Sequence, residues 1–223
     1  MAIYITGDVH GDIDFHKLNS KNFSANEGDY VIVCGDFACC WDNGRQDKYI
    51  QNWYNSKPWT TLFVDGNHEN HDLLNSSHSV ETWNGGKVHR ISDKIIHLMR
   101  GQVFTIEGKS FFTMGGAASH DKFLRTEGVS WWASEMPSRD EMNEAIENLD
   151  RVGKVNYVIT HCAPASVQQQ LAYWYEQDSA TRFLELVKNN YEFDHWFFGH
   201  YHKDTRLGRK YTCLYNEIIK LED

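Results

Sequence analysis

Five short runs of apolar residues punctuate the chain: AIYIT, YVIVC, TLFVD, NYVIT and HWFF. Each is four or five residues long, rich in β-branched or aromatic side chains, and bounded by glycine, aspartate or polar clusters. That combination marks buried strands rather than helices. Residues 2–6, 30–34 and 60–65 are the first three predicted strands. Residues 45–56 form a moderately amphipathic helix with Tyr49, Ile50 and Trp53 as its predicted apolar face. Strand–helix–strand alternation predicts parallel pairing through crossovers. The middle of the chain reads differently. Asn84-Gly85-Gly86-Lys87 is a turn between alternating flanks, and residues 102–107 and 109–114 face each other across Gly108 as a hairpin. Hairpins after βαβ units predict a second sheet stacked on the first. Ser138, with Pro137 before it and Glu141 three residues on, opens a capped helix. Its predicted face is Met142, Ala145, Ile146, Leu149 and Val152. Asp178 caps another helix, carrying Ala180, Phe183, Leu184 and Val187, and a last strand is predicted near 211–215. No linker, repeat or low-complexity tract interrupts the pattern, so the expectation is one domain, residues 1–223.

Composition changes this picture only at its margins. The formal charge of −9 argues against a broad basic face for tracking nucleic acid. It leaves room for a nucleotide or a nucleic-acid end, because bound metal ions make a site locally positive. The five cysteines are odd in number and show no CxxC spacing, which fits a reducing compartment better than a disulfide framework. No run of 18 apolar residues appears, and the first residues open directly into a strand pattern. The expectation is a soluble cytoplasmic protein with neither signal peptide nor membrane span.

Chemistry enters where the strands end. The five runs lead into GDVHG, GDF, GNHE, HCAP and GHYH. The candidate ligands are therefore Asp8, His10, Asp36, Asn67, His161, His200 and His202, with His68 beside them. Carboxylate oxygen, imidazole nitrogen and one amide oxygen make a borderline-hard set suited to Mn, Fe, Zn or Co. Asp8 and His10, two residues apart in extended chain, point to one side and can share an ion. His200 and His202 repeat that spacing, and the two oxygens of Asp36 can bridge. Seven ligands exceed one tetrahedral ion and suit two ions about 3.5–4 Å apart. Such a pair shares a hydroxide, acidifies it and clamps the oxygens of an in-line displacement at phosphorus. Gly7, Gly35, Gly66 and Gly199 stand immediately before ligands, where glycine permits a sharp exit with positive φ and keeps bulk away from the ions. A lone histidine or a single aspartate after a strand is more often a packing or turn residue. Five strand exits into a ligand, four of them through a glycine, outweigh that reading. The remaining histidines, His16, His71, His78, His89, His97 and His195, read as surface or packing residues, and Cys39, Cys40 and Cys162 as packing residues.

The ordered set DVHG, GDF, GNHE, TH and GHYH, spanning residues 5 to 202, resembles the calcineurin-like metallophosphoesterase superfamily, in its bacterial and phage branch. The resemblance implies an α/β fold: a four-layer α/β/β/α sandwich of two stacked mixed sheets, with the metal site at the strand carboxyl ends. It implies two divalent metal ions, Mn2+ foremost, with Fe, Zn2+ or Ni2+ as alternatives. Asp8, His10 and His202 would hold the first ion, Asn67, His161 and His200 the second, and Asp36 both. His68 would face the substrate, stabilise phosphoryl oxygens and protonate the leaving group. Asp36 and His68 are thus the expected catalytic residues of a phosphoester hydrolase. Where phosphoprotein phosphatases of the family carry GDxxDRG, this chain reads Gly35-Asp36-Phe37-Ala38-Cys39-Cys40-Trp41-Asp42. The Asp-Arg pair is absent, which disfavours a phosphoprotein substrate and leaves the acidic partner of His68 open between Asp42 and Asp72. The expected substrate is a phosphodiester, a nucleotide, a nucleic-acid end or a small phosphomonoester. A protein phosphatase and a non-catalytic metal-binding scaffold are the alternatives. Residues 115–138 have no regular period and read as a loop over the site. Within it Lys122 and Arg125 are candidate phosphate contacts and Trp132 a candidate stacking surface. The plain alternative is that the tryptophans pack the loop down and the cations are solvated.

Overall fold

The computed structural model describes residues 1–222. In chain order the elements are β1 (Ile3–Thr6), β2 (Tyr30–Val33), α1 (Arg45–Asn55), β3 (Thr60–Phe63), α2 (His71–Ser76), β4 (Val80–Trp83), β5 (Gly86–Ser92), β6 (Ile95–Leu98), β7 (Gln102–Ile106) and β8 (Lys109–Met114). They continue with α3 (Arg139–Val152), β9 (Lys154–Thr160), α4 (Ala165–Leu171), α5 (Ser179–Asn190), β10 (Glu192–Phe198), β11 (Thr205–Leu207), β12 (Tyr211–Cys213) and β13 (Ile218–Lys220). One sheet has the order β13-β1-β2-β3-β6-β5-β4, the other β11-β12-β10-β9-β8-β7. The cores β1-β2-β3-β6 and β12-β10-β9-β8 are parallel, and antiparallel strands close both sheets.

Three apolar layers hold this together. Ile5, Ile32, Leu62 and Ile96 of the first sheet meet Phe104, Phe111, Ile159 and Phe197 of the second between the sheets. Val31, Val33 and Phe63 point the other way, against Ile50 and Tyr54 of α1 and Leu74 of α2. Phe112, Val158, Trp196 and Phe198 do the same against Ala145 and Leu149 of α3, Val167 of α4 and Leu184 of α5. Every strand of the parallel cores is thus covered on both faces, which is why these strands read as continuous apolar runs rather than alternating ones. The result is the expected four-layer α/β/β/α sandwich.

The local signals hold with two adjustments. Asn84 (φ 48°) and Gly85 (φ 95°) form one hairpin turn, Glu107 (φ 50°) and Gly108 (φ 75°) the other. Both have the paired left-handed residues of a type I′ turn. Ser138 and Asp178 each accept from the backbone of the third helical residue and close a reciprocal capping box. In α1, however, the buried face is Asp47, Ile50 and Tyr54, while Tyr49 points outward. The Asp47 carboxylate accepts from the backbone N–H groups of Trp41, Asp42 and Asn43 at 2.7–2.9 Å. That capture turns the helix a little from the face its hydrophobic residues alone predict. Val152, at the end of the predicted face of α3, is also exposed. No helix among the described residues is long and apolar enough to cross a membrane.

His71, His89 and His97 are all buried, and they are not simple packing residues. His97 Nε2 lies 3.2 Å from Asp65 Oδ1 and its Nδ1 3.1 Å from His89 Nδ1. The Arg100 guanidinium donates to Asp65 Oδ2 at 2.6 and 2.9 Å and to the carbonyls of Ser134 and Glu135. This polar knot ties the turn after β3 to the segment before α3.

Candidate metal centre

β1, β2 and β3 of one sheet and β9 and β10 of the other end at a common edge, and the chain leaves each strand directly into a candidate ligand. The exits are bent. His10 (φ 42°), Asp36 (φ 49°), His200 (φ 68°) and His202 (φ 48°) all occupy the left-handed region, although none is glycine. Each such residue costs on the order of 1–3 kcal/mol and persists only where its surroundings hold it. Here they do. The N–H groups of Val9 and His10 donate to Asp36 O, Gly11 donates to Phe37 O, and Gly199 donates to His161 O. Glu69 accepts from Phe37 N and Ala38 N at 2.7 and 3.0 Å and fixes the turn after Asp36. Of the four glycines that precede ligands, Gly35 alone has positive φ, at 100°. At Gly66 and Gly199 the need is for closeness: a Cβ would stand 2.1 Å from Asp36 Oδ1 and from Asp8 Oδ1 respectively.

Donor atoms of Asp8, His10, Asp36 and His202 all lie within 4.8 Å of one another. His202 Nε2 is 3.2 Å from Asp8 Oδ2, and His10 Nε2 is 3.2 Å from Asp36 Oδ2. The other Asp36 oxygen faces the second half of the set, 3.3 Å from His161 Nε2. His161 Nε2 is also 3.1 Å from Asn67 Oδ1, and the His200 ring stands edge-on to that of His161 at 4.9 Å. All seven predicted ligands therefore gather at one place, with Asp36 between two subgroups.

Contacts outside the ligand set orient it. His10 Nδ1 pairs with Asp14 Oδ2 at 2.7 Å and His161 Nδ1 with Cys34 O at 2.8 Å, which turns each Nε2 inward. Asn67 Nδ2 donates to Ser119 Oγ, and Ser119 in turn donates to Glu135, leaving Asn67 Oδ1 for the centre. The Asp8 carboxylate accepts from the backbone N–H of His200 at 3.0 and 3.1 Å. Lys17 donates from below to the carbonyls of Gly7, Asp8 and Tyr215. None of Asp14, Ser119, Glu135 or Lys17 carries a motif. The one local signal is the four-residue spacing of Asp14 from His10.

The protonation pattern is that of a site short of positive charge. Burial alone would raise the Asp36 carboxyl, but the His161 and His10 imidazoles against it hold it well below the usual range. Burial would lower His161, yet Asp36 and Asp8 raise it to about 10. His10 is raised for the same reason. His200, buried beside the cationic His161, is pushed well down. Two buried carboxylates are thus holding protons on neighbouring imidazoles, the work a cation would otherwise do.

His68 faces this centre. Its N–H donates to Asp36 Oδ1 at 2.7 Å, and its ring lies 5.4 Å from that of His10. Neither aspartate considered as its partner reaches it: Asp42 accepts from Gly44 N, and Asp72 accepts from Trp132 Nε1. The partner is Arg125, whose two terminal nitrogens lie 3.1 and 3.4 Å from the His68 ring nitrogens. Burial, with Arg125, His10 and His161 nearby, lowers the His68 pKa. The shift favours the neutral imidazole, whereas the expected protonation of a leaving group draws on the protonated ring. Residues 115–138 do lie against the site, through Ser119 and Arg125. Trp132 is buried, edge-on to Trp41 at 5.3 Å, so its ring packs the segment down and offers no open face. Lys122 is exposed, 5.9 Å from the centre of the Trp131 ring.

A family model described as calcineurin-like phosphoesterase matches residues 1–204. No curated protein matches the chain. Among solved structures, one similar chain is a protein from Staphylococcus aureus provisionally described as a 5'-nucleotidase, in complex with alpha-ketoglutarate. The identity is 14% and the TM-score 0.45, over 96% of this chain and 48% of that one. The present chain thus spans about half the length of that relative.

Proposed function

The chain belongs to the calcineurin-like phosphoesterases, a metal-dependent family of hydrolases, and from that premise we propose that it hydrolyses a small phosphoester, a nucleotide or a nucleic-acid end at two divalent ions. The observation that carries this reading is the convergence of Asp8, His10, Asp36 and His202 within 4.8 Å. In it, Asp8, His10 and His202 hold one ion, Asn67, His161 and His200 the other, and Asp36 both, all within one domain. The residues fit such ions. Their donors are oxygen and nitrogen, the imidazoles are oriented from behind, and the buried carboxylates lack a permanent cation. Mn2+ is the first choice, with Fe, Zn2+ or Ni2+ as alternatives. Bound, the ions supply Lewis acidity and a nucleophilic hydroxide for in-line displacement at phosphorus.

The protein's own groups do the rest. The hydrogen bond from the His68 backbone N–H to the Asp36 carboxylate sets the distance between the ions and the imidazole. His68 meets the phosphoryl oxygens and serves the departing alkoxide. Arg125, a planar donor against His68, supplies the phosphate grip that an Asp-Arg pair gives elsewhere in the family. Without that pair, and with a net charge of −9, the chain favours a compact substrate over a phosphoprotein. The five cysteines, all free and buried, support a reducing, cytoplasmic setting.

The test is hydrolysis of p-nitrophenyl phosphate beside bis-p-nitrophenyl phosphate by metal-stripped protein given back Mn2+. Turnover should appear with Mn2+ and vanish in excess chelator. His68→Ala should lower kcat by about 10²–10⁴-fold while bound metal is unchanged. Activity that survives chelation of metal-free protein would overturn the mechanism. Stoichiometric metal with no turnover of either ester would favour a scaffold.

A further inference from the structure

Beside the metal centre lies a cleft of about 420 Å³ lined by His120, Trp174, Tyr175 and Glu176. That volume falls within the range of small-molecule sites. None of these residues belongs to the ligand set, but one of them touches it. The His120 ring is centred 5.6 Å from that of His200, with 30° between their planes. The Tyr175 ring follows at 6.2 Å from His120 and 28°, and the Trp174 ring at 6.3 Å from Tyr175 and 43°. Aromatic planes thus step outward from the centre at shallow angles.

The wall is built rather than loose. Tyr175 N–H donates to Ala172 O, Gln168 Nε2 donates to Glu176 O, and the Tyr175 ring packs edge-on against Tyr201 at 5.0 Å. Trp174, carried between these tethers, is 66% exposed. A large apolar face held open at the rim of a polar site is a stacking surface in want of a ring. Glu176 adds a carboxylate, which when ionised only accepts, and so pairs with N–H groups on the edge of a planar heterocycle.

We propose that this cleft binds the base of a nucleotide whose phosphate lies on the metal centre. The inference rests on the phosphoesterase reading for the position of the phosphate, and adds the substrate class. Stacking accepts any base because every base has a π face, whereas an aliphatic alcohol gains nothing comparable there. The shallow ring angles favour a planar group, and the carboxylate favours one bearing amino or imino hydrogens.

Calorimetric binding to the Mn2+-loaded protein tests this directly, with the non-hydrolysable phosphonate analogues of guanosine 5'-monophosphate and of glycerol phosphate as probes. The nucleotide analogue should bind at least tenfold more tightly than the glycerol phosphate analogue. Trp174→Ala should lose most of that advantage, about tenfold for one base–aromatic stack, without lowering the thermal midpoint of so exposed a site. His120→Ala gives a second reading of the same wall. Equal affinity for the two probes, or a Trp174→Ala protein with unchanged nucleotide affinity, overturns the subsite. Metal-restored turnover of the p-nitrophenyl esters by wild-type protein is scored separately. Its absence counts against the phosphoesterase reading, while a lost nucleotide preference with turnover intact counts against the cleft alone.

Discussion

Arg125 and His68 lie 57 residues apart in sequence, yet the guanidinium nitrogens come within 3.1 and 3.4 Å of the imidazole nitrogens at the centre. Two cation-capable groups in contact repel if both are charged, so the guanidinium keeps the charge and the imidazole stays neutral. Asp121, 2.9 Å from Arg125 Nε, holds the guanidinium in place. An anionic phosphate entering between them would find a planar donor already positioned. Arg125→Ala should therefore raise KM for phosphoesters by about ten- to a hundredfold, the cost of a charge-assisted hydrogen bond. Metal content should stay as it is, and Arg125→Lys should fall between, since an ammonium cannot make the paired contact. An unmoved KM removes Arg125 from the substrate site. At this scale the sequence is uneven. Asp8, His10, Asp36 and their fellows are legible because each lies just past a strand, in four of the five places after a glycine. Arg125 is only a candidate, and Asp14, Ser119 and Lys17 are silent, because contacts made across the fold leave no spacing to read.

At the scale of elements, the strand ends act as presenting devices, and the tightest is the turn after β3. A Cβ on Gly66 would stand 2.1 Å from Asp36 Oδ1 and 2.3 Å from Asp36 N, so the turn can pass only as bare backbone. Gly66→Ala should push Asp36 from its place between the two ligand subgroups and lower bound metal below wild-type stoichiometry, measured by elemental analysis after gel filtration. Full metal loading in that variant would mean the turn yields more easily than its packing implies. The elements themselves were largely legible: both hairpins, both capping boxes and the strands that feed the site. The misses have physical causes. β13 and β11 are three residues each, too short to show a period. The face of α1 is set by Asp47, a charged residue that a hydrophobic pattern assigns to solvent.

The molecule as a whole is a stack of layers pinned by a buried polar knot, and that knot adds to its response to acid, beside the lowered His68 and His200 of the metal centre. Burial lowers His71 to about 4, and burial together with His97 lowers His89 to about 4. Both groups titrate near 6.5 when unfolded, so between about 6.5 and about 4 the unfolded chain binds more protons than the folded one. Stability is therefore full above about 6.5 and falls as the pH drops through that window, by at most about 1.4 kcal/mol per pH unit for each group. Asp65, held far below its usual value once Arg100 and His97 outweigh its burial, acts only at lower pH. His161, raised, acts only above 6.5. Urea midpoints from pH 7 to 4 check this, and His71→Gln should flatten the slope. A slope the variant leaves unchanged would place the acid sensitivity elsewhere. The two stacked sheets were legible from the runs and hairpins and the four-layer order through the family resemblance, whereas this knot was not, since His71, His89 and His97 carry no sign in the sequence that they meet. The same long reach bears on how the centre comes into being. Asp8 accepts from His200, 192 residues further on. At the usual pace of translation the ribosome needs on the order of 10–40 s to travel that distance. Through that interval the first carboxylate exists without the histidines that complete its surroundings. Assembly of the gathered set therefore waits until His200 and His202 have been made, long after Asp8.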